Sequence, residues 1–231
     1  QIKIENYICN DSNRKTNGKI VFFVENSHGK TVFAGEDYIF CTPCDSAYAN
    51  TIAFTVQSVN DREKFKIHSY YVDENDESIY AVNEIEIEVF APVTYVPNKK
   101  LKIIELKTRG EHDICGEKVT VFDMYAGGLY FVETPENEIF KYLKKDDLRW
   151  LYEKKTDMIC YTADNAFTST GFTPLVVKPK YCNVDMGREE IISYKKVGDE
   201  VVVITTINLL TENPVIALLL KSLNESVDKL K

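Results

Sequence analysis

Residues alternate over Val82–Phe90, strictly acidic and apolar from 84 to 89, and this feature most limits how the chain can fold. The alternating residues are Glu84, Glu86 and Glu88 at one parity and Ile85, Ile87 and Val89 at the other. A period of two places the two sets on opposite faces of a β-strand, with successive carboxylates about 7 Å apart. We therefore predict a strand with one acidic face and one apolar face.

Short apolar or alternating runs separated by turn signals fill most of the chain, and we expect them to be strands. They cover residues 2–9, 19–24, 30–34, 51–59, 65–72, 82–90, 101–107, 118–122, 129–132, 158–162, 175–178, 191–195 and 201–207. Two hairpins are predicted, one joining 19–24 to 30–34 and one joining 51–59 to 65–72. The pattern is typical of a mainly β fold, either a β-sandwich or a lipocalin-like barrel.

Two helices are predicted to pack on the sheets. The first begins with Thr134 as its cap and Pro135 in its first turn, and it extends to about Lys154. The second is amphipathic and C-terminal, with Asn213 as cap and Pro214 at the first position. Its apolar stripe consists of Ile216, Leu219, Leu220, Leu223, Val227 and Leu230. Such a stripe packs on the protein's own sheet or, alternatively, makes a homo-oligomer.

Six cysteines are present among 231 residues: Cys9, Cys41, Cys44, Cys115, Cys160 and Cys182. We expect them to form structural disulfides in one domain spanning 1–231, with a subdivision into 1–91 and 98–231 around a Pro-containing linker as the alternative. An even cysteine count, a start at Gln1 and two sequons favour a secreted glycoprotein whose signal peptide has been removed. The sequons predict glycans on Asn10 and Asn224.

The stretch Cys41-Thr42-Pro43-Cys44 resembles the Cys-x-Pro-Cys motif of thioredoxin-like proteins, and the resemblance spans at most residues 30–105. It implies a redox-active pair whose first thiol has a pKa lowered by a following helix. Zinc is a further alternative, because His112 and Cys115 could complete four ligands with Cys41 and Cys44. Structural disulfides remain the favoured interpretation, so no metal and no cofactor are expected.

Charge and motifs restrict the function further. The chain carries 36 acidic and 28 basic residues, a net charge of -8, which disfavours nucleic acid and anionic membranes as partners. No run of apolar residues is long enough to span a bilayer. No Gly-x-Ser-x-Gly, His-Glu-x-x-His or Walker motif occurs, so no catalytic residues are assigned and a non-enzymatic protein is expected.

The acidic strand and the loop before it are the predicted binding site. Its residues are Asp73, Glu74, Asp76, Glu77, Glu84, Glu86 and Glu88. Clustered carboxylates repel one another unless nearby cations neutralise them. These cations could come from a basic ligand or from Lys64 and Lys66 on a neighbouring strand. We expect an extracellular, immunomodulatory binding protein for a soluble, basic ligand such as a chemokine, a cytokine or another host factor. A lipocalin-like carrier and a thioredoxin-like oxidoreductase are the alternatives.

Overall fold

The computed structural model describes residues 1–56, 59–75, 79–123, 131–133, 137–144, 147, 165–179, 188–209 and 212–230. The fold is mainly β, as predicted, and the described residues include one α-helix, near the C-terminus. The chain divides into two compact units, Gln1–Ala91 (unit 1) and Pro92–Lys231 (unit 2). None of the described helices is long and apolar enough to cross a membrane.

Unit 1 is a two-layer β-sandwich built from six antiparallel strands. The strands are β1 (Ile2–Asn10), β2 (Thr16–Asn26), β3 (Thr31–Cys41), β4 (Asp45–Phe54), β5 (Arg62–Asp73) and β6 (Ile79–Phe90). One layer is the pair β1–β4, and the other is a four-stranded sheet in the order β3-β2-β5-β6. Among the described strands, this order leaves β3 and β6 at the edges, so the sheet is open.

The two hairpins predicted in unit 1 have different outcomes. β2 and β3 form the first, joined by a turn in which Asn26 Oδ1 accepts the backbone N–H of Lys30 at 3.0 Å. The second is wrong, because β4 pairs with β1 whereas β5 pairs with β2 and β6. The runs 51–59 and 65–72 each have one apolar face. Packing these faces against each other from separate layers buries them as well as pairing the two strands in one sheet would, so the alternation does not distinguish the two arrangements.

The core of unit 1 lies between its two layers. Alternate residues of β2 point inward, including Phe22 and Val24, and they meet β4 residues such as Ile52 and Phe54. The ring of Phe54 lies 6.1 Å from that of Phe33 and 6.2 Å from that of Phe65. A period of two along each strand therefore separates a shared apolar interior from an outer face.

The described part of unit 2 contains a curled sheet of eight strands. They are β7 (Leu101–Glu105), β8 (Gly110–Ile114), β9 (Glu117–Asp123), β10 (Phe131–Val132), β11 (Asn165–Ser169), β12 (Thr173–Pro179), β13 (Arg188–Val197) and β14 (Glu200–Thr205). The main order is β10-β12-β13-β11-β9-β8, and β14 pairs with β13 and, in parallel, with β7. Both faces of β14 are buried, since Val201 and Val203 face one core whereas Val202 and Ile204 face another. This explains its continuous β-branched sequence.

The C-terminal helix α1 (Pro214–Ser226) confirms the prediction. Asn213 Oδ1 accepts the backbone N–H of Val215 at 2.9 Å, which caps the helix start. The predicted apolar stripe packs into the core of unit 2. Oligomerisation through this stripe therefore has no support in the structure, because the stripe is already buried.

The predicted mid-chain helix differs in extent. Among its described residues, Glu138–Phe140 form a 3-10 turn that Asn137 caps, and Asp147 is again 3-10 helical. Leu143 and Lys144 are not helical, and the predicted start at Thr134 and Pro135 lies outside the described residues. Ile139 and Phe140 are buried with α1, and Ser222 Oγ donates to the Glu138 carbonyl at 3.1 Å.

Candidate functional site

The outer face of the four-stranded sheet in unit 1 carries the predicted binding residues. Glu84, Glu86 and Glu88 lie on this face of β6, opposite Lys64, Lys66 and His68 of β5. Ile85, Ile87 and Val89 take the inner face, as the alternation predicted. The sequence therefore assigned the two faces of β6 correctly.

We call the three glutamates of β6 the glutamate ladder (Glu84, Glu86, Glu88). Cationic side chains of β5 form ion pairs with all three. Lys66 Nζ lies 3.1 Å from Glu84 Oε1, and an Arg62 guanidinium nitrogen lies 3.6 Å from Glu88 Oε2. Lys64 pairs with Glu86, and their hydrogen bond raises the pKa of Lys64. The alternative in which Lys64 and Lys66 balance the ladder is confirmed.

His68 extends this network, and sequence reasoning missed it. Its ring stacks on Phe23 with centroids 4.5 Å apart. Its Nε2 lies 3.2 Å from Glu25 Oε2, and its Nδ1 lies 3.4 Å from Glu84 Oε2. The parity of β5 could have placed His68 beside the lysines, but its stacking partner depends on strand order.

The acidic residues at the start of the β5–β6 connection meet neutral donors instead. Asp73 accepts bonds from the backbone and side chain of Asn75 at 2.8 and 2.9 Å, and from the Tyr71 hydroxyl at 3.2 Å. Glu74 accepts a bond from the side-chain amide of Asn17. These bonds orient the carboxylates without cancelling their charge. The other two predicted loop residues, Asp76 and Glu77, lie outside the described residues.

A surface pocket of about 470 Å³ adjoins these two carboxylates. Its lining residues are Gly18, Lys19, Tyr38, Val72, Asp73, Glu74 and Ile79. Tyr38 is 74% exposed and Ile79 is 59% exposed. Lys19 is held by Glu36 at 2.9 Å, so its charge is matched. We call the group Tyr38, Asp73, Glu74 and Ile79 the acidic corner.

Unit 1 holds most of the net negative charge of the protein. Residues 1–91 contain 15 of the 36 acidic residues but only 8 of the 28 basic ones. The ladder is locally balanced by Arg62, Lys64 and Lys66, so the excess lies elsewhere in the unit. Asp73 and Glu74 are part of that excess.

The cysteines of unit 1 meet near one end of its sandwich but form no disulfide. Cys9, Cys41 and Cys44 are free thiols there, as is Cys115 in unit 2. Cys9 Sγ accepts a bond from Ser46 Oγ at 3.3 Å, and Cys41 is buried beside the Asp45 carbonyl. Cys160 and Cys182 lie outside the described residues. Disulfide formation stays a prediction.

The thioredoxin-like and zinc interpretations find no support in the geometry. The residues after Cys44 form strand β4, so no helix begins there to lower a thiol pKa. Cys41, which would be the nucleophile, is 1% exposed. Within the described ranges, no group of three or more His, Cys, Asp and Glu side chains could hold a metal ion.

Both sequon asparagines use their side-chain amides inside the fold. Asn10 Nδ2 donates to the carbonyls of Arg14 and Thr42 at 2.8 and 3.0 Å, and Asn10 is 5% exposed. Asn224 Nδ2 donates to the Leu220 carbonyl at 2.7 Å, and Asn224 is 8% exposed. A glycan is attached through this same nitrogen, so the folded geometry opposes both glycosylation predictions.

A scan of known protein families finds none that matches this chain, and a search of curated proteins finds no similar sequence.

Proposed function

We propose that this chain is a non-enzymatic binding protein that recognises a soluble, basic protein ligand through the acidic corner of unit 1. The observation that carries the proposal is the contrast between two acidic sets on one sheet. The glutamate ladder has its cations in the chain, whereas Asp73 and Glu74 are held by neutral donors. A basic ligand therefore gains electrostatic energy at the corner that it would not gain at the ladder.

The chemistry of the corner suits a Lys or Arg side chain of the ligand. The carboxylates of Asp73 and Glu74 would accept its charged N–H groups, and such bonds are stronger than neutral ones. Tyr38 presents an exposed ring beside them, which suits the aliphatic stem or a cation–π contact. Tyr is also enriched at protein interfaces, since it combines a large apolar area with a polar hydroxyl.

An extracellular role belongs to the same proposal. Acidic decoys that capture basic chemokines or cytokines would use a surface of this kind, and this is an analogy of function alone. The even cysteine count supports an oxidising compartment. Mass spectrometry of non-reduced protein from a secretory host, with a reduced sample as control, tests this part of the proposal.

The binding experiment compares two double variants that change the net charge equally. Asp73→Asn with Glu74→Gln alters the corner, whereas Glu84→Gln with Glu86→Gln alters the ladder. Probes are purified basic chemokine-class proteins, with an acidic protein of similar size as control. We expect the corner variant to lose about tenfold in affinity and to bind with weaker salt dependence, while the ladder variant changes less than about twofold.

Equal losses from the two variants would show that binding follows net charge and would reject the corner as the site. The same rejection follows if neither variant alters binding or its salt dependence. Asn and Gln keep the acceptor oxygens that Asn75 and Asn17 use, so the turn is expected to stay folded. Thermal unfolding of each variant checks this.

A second candidate function, carriage of a small apolar ligand, is favoured by a different pocket of unit 1. This pocket, of about 580 Å³, is open to the surface and lies beside the core residues Phe54 and Phe65. Its volume suits a small molecule. Quenching or enhancement of a fluorescent fatty-acid analogue tests it, and Val56→Asp, at the pocket wall, should abolish uptake while leaving basic-protein binding intact.

A further inference from the structure

Strand β6 lies at an edge of its sheet, and its two halves differ. β5 pairs with one side of it, and no strand among the described residues pairs with the other. The second half is half-buried from Ile87 onward, where Ile87 and Val89 pack on the core. The first half is exposed on both faces: Val82 is 74% exposed on the outer face and Ile85 is 40% exposed on the inner face.

Exposed apolar side chains on both faces of a free edge are uncommon, because an unpaired backbone edge readily accepts another strand. Proteins protect such edges with charges, short strands or covering segments. The glutamate ladder protects β6 from Glu84 onward. The described residues of β6 before Glu84 carry no charge, and Ile79, Tyr80 and Val82 all expose large side chains.

A β-bulge joins this unprotected stretch to the acidic corner. Tyr71 pairs with Ala81, but Val72 pairs with Ile79, so Tyr80 is the extra residue. A bulge changes the parity of the strand beyond it. Ile79 consequently lies beside Val72 and Tyr38 in the corner pocket. The free edge and the corner therefore form one continuous surface.

We propose that the ligand contributes an extended segment that pairs with β6 over Ile79–Ile85 as a fifth strand, with a Lys or Arg at its end beside Asp73 and Glu74. This inference rests on the proposed function and adds the mode of binding. Backbone hydrogen bonds supply affinity in such strand addition, and side chains supply specificity. Because Val82 and Ile85 project to opposite faces, the segment carries apolar or β-branched residues on both of its faces.

A second copy of this chain fits the same edge poorly. β6 (Ile79–Phe90) of a second copy carries three glutamates and no Lys or Arg, so it would bring no cation to Asp73 and Glu74. A segment that ends in Lys or Arg does bring one, so charge complementarity favours a basic ligand over a second copy.

The test uses a synthetic seven-residue peptide that alternates Val and Thr and ends in two lysines. A peptide ending in two glutamates is the control. Backbone amide exchange over Tyr80–Ile85 of the intact protein is followed by NMR with and without peptide. We expect the lysine peptide to bind and to slow exchange at these amides at least tenfold, because strand addition hydrogen-bonds those that face outward.

Two matched variants locate the contact. Val82→Lys lies on the proposed edge, and Val32→Lys adds the same charge at an exposed valine of the opposite edge strand, β3. We expect Val82→Lys to weaken the lysine peptide about tenfold or more and Val32→Lys less than about twofold. Equal effects, or none from Val82→Lys, would place the peptide elsewhere and overturn the inference.

The remaining outcomes separate the inference from the proposed function. Binding of the lysine peptide without protection of β6 overturns strand addition and leaves recognition of basic ligands standing. Equal binding and protection by both peptides supports strand addition but removes the charge preference on which the proposed function depends. Absence of binding, or a concentration-dependent dimer that Val82→Lys dissolves, overturns the inference.

Discussion

Lys66 Nζ lies 3.1 Å from Glu84 Oε1, although the residue directly opposite Lys66 in the strand pairing is Glu86. Lys64 shows the same offset, since it faces Glu88 but pairs with Glu86. Diagonal neighbours two residues apart lie within reach of long side chains in an antiparallel sheet. Each lysine thus lies between two glutamates, which is why three carboxylates at alternate positions are tolerated on one face.

Removing one member of this ladder should change stability little. Both Lys66 and Glu84 are about half exposed, and water screens such pairs effectively. We expect Glu84→Gln to shift the melting temperature by less than about 2 °C, with the shift vanishing at high salt. Thermal unfolding followed by circular dichroism at two salt concentrations measures it. A loss above about 5 °C would contradict the assignment of a screened, exposed pair.

Asn50 is expected to contribute far more to stability than Glu84, because it is buried and its side chain links three strands. Its Nδ2 donates to Asp37 Oδ2 at 2.5 Å, and its Oδ1 accepts from Asn6 Nδ2 at 3.0 Å. Asn50→Ala leaves both partners short of a bond, so the free energy of unfolding should fall by about 2 kcal/mol. Urea unfolding measures this fall. Thr51→Ala, at an exposed neighbour, is the control and should stay within about 0.5 kcal/mol of the parent.

Two glycines with left-handed backbones allow strain and collision to be measured separately. Gly171 has φ +73°, and a Cβ added there would meet the carboxylate of Glu117. Gly198 has φ +60° with open space around it. Gly198→Ala should cost about 1 kcal/mol from backbone strain alone, and Gly171→Ala should cost about 1 kcal/mol more. If the two variants unfold at the same urea concentration, Glu117 moves aside freely and the collision contributes nothing.

Glu225 makes the stability of unit 2 sensitive to acid. Lys141 Nζ donates to it at 2.6 Å and the Tyr142 hydroxyl at 2.7 Å, and these bonds hold the pKa of Glu225 below its ordinary value of 4.5. Since the unfolded chain takes up this proton at higher pH than the folded one, the stabilisation is complete above 4.5. It is lost as the pH falls through the lower folded pKa.

Glu225→Gln should therefore remove part of the acid sensitivity. We expect the parent to lose more stability than the variant between about pH 6 and about pH 3, as followed by urea unfolding. Asp228→Asn, at an exposed carboxylate on the same C-terminal segment, is the matched control. Identical pH profiles for Glu225→Gln and the parent would contradict the role of these two hydrogen bonds.

The two sequons offer a direct check of burial. Asn10 also accepts bonds from the backbone and hydroxyl of Ser12 at 3.1 and 2.6 Å, so every polar atom of its side chain is used. We expect protein from a eukaryotic secretory host to keep its mass on treatment with an endoglycosidase. A mass loss that Asn10→Gln abolishes would show that the sequon is occupied and that the loop around Asn10 opens to admit the glycan.

Local pattern was sufficient to predict the strand class, the two faces of β6 and the C-terminal helix. In each case the signal is carried by residues within about a dozen positions of one another. Alternation predicts a strand, and Asn213 followed by Pro214 and an apolar stripe predicts a capped helix. The same local signals gave the wrong hairpin for 51–59. A strand with one apolar face can bury that face against any apolar surface, so its alternation does not show which strand it pairs with.

From the sequence alone came the mainly β class, the acidic excess and the parity that sets Glu84, Glu86 and Glu88 together. Only the tertiary structure decided that Lys64, Lys66 and Arg62 neutralise those glutamates. It also decided that Asp73 and Glu74 accept hydrogen bonds from neutral groups beside an exposed Tyr38. The physical reason is distance. Parity acts between residues adjacent in the chain, whereas the partner of a charge depends on which strands lie side by side, and that is set by burial of the whole apolar core.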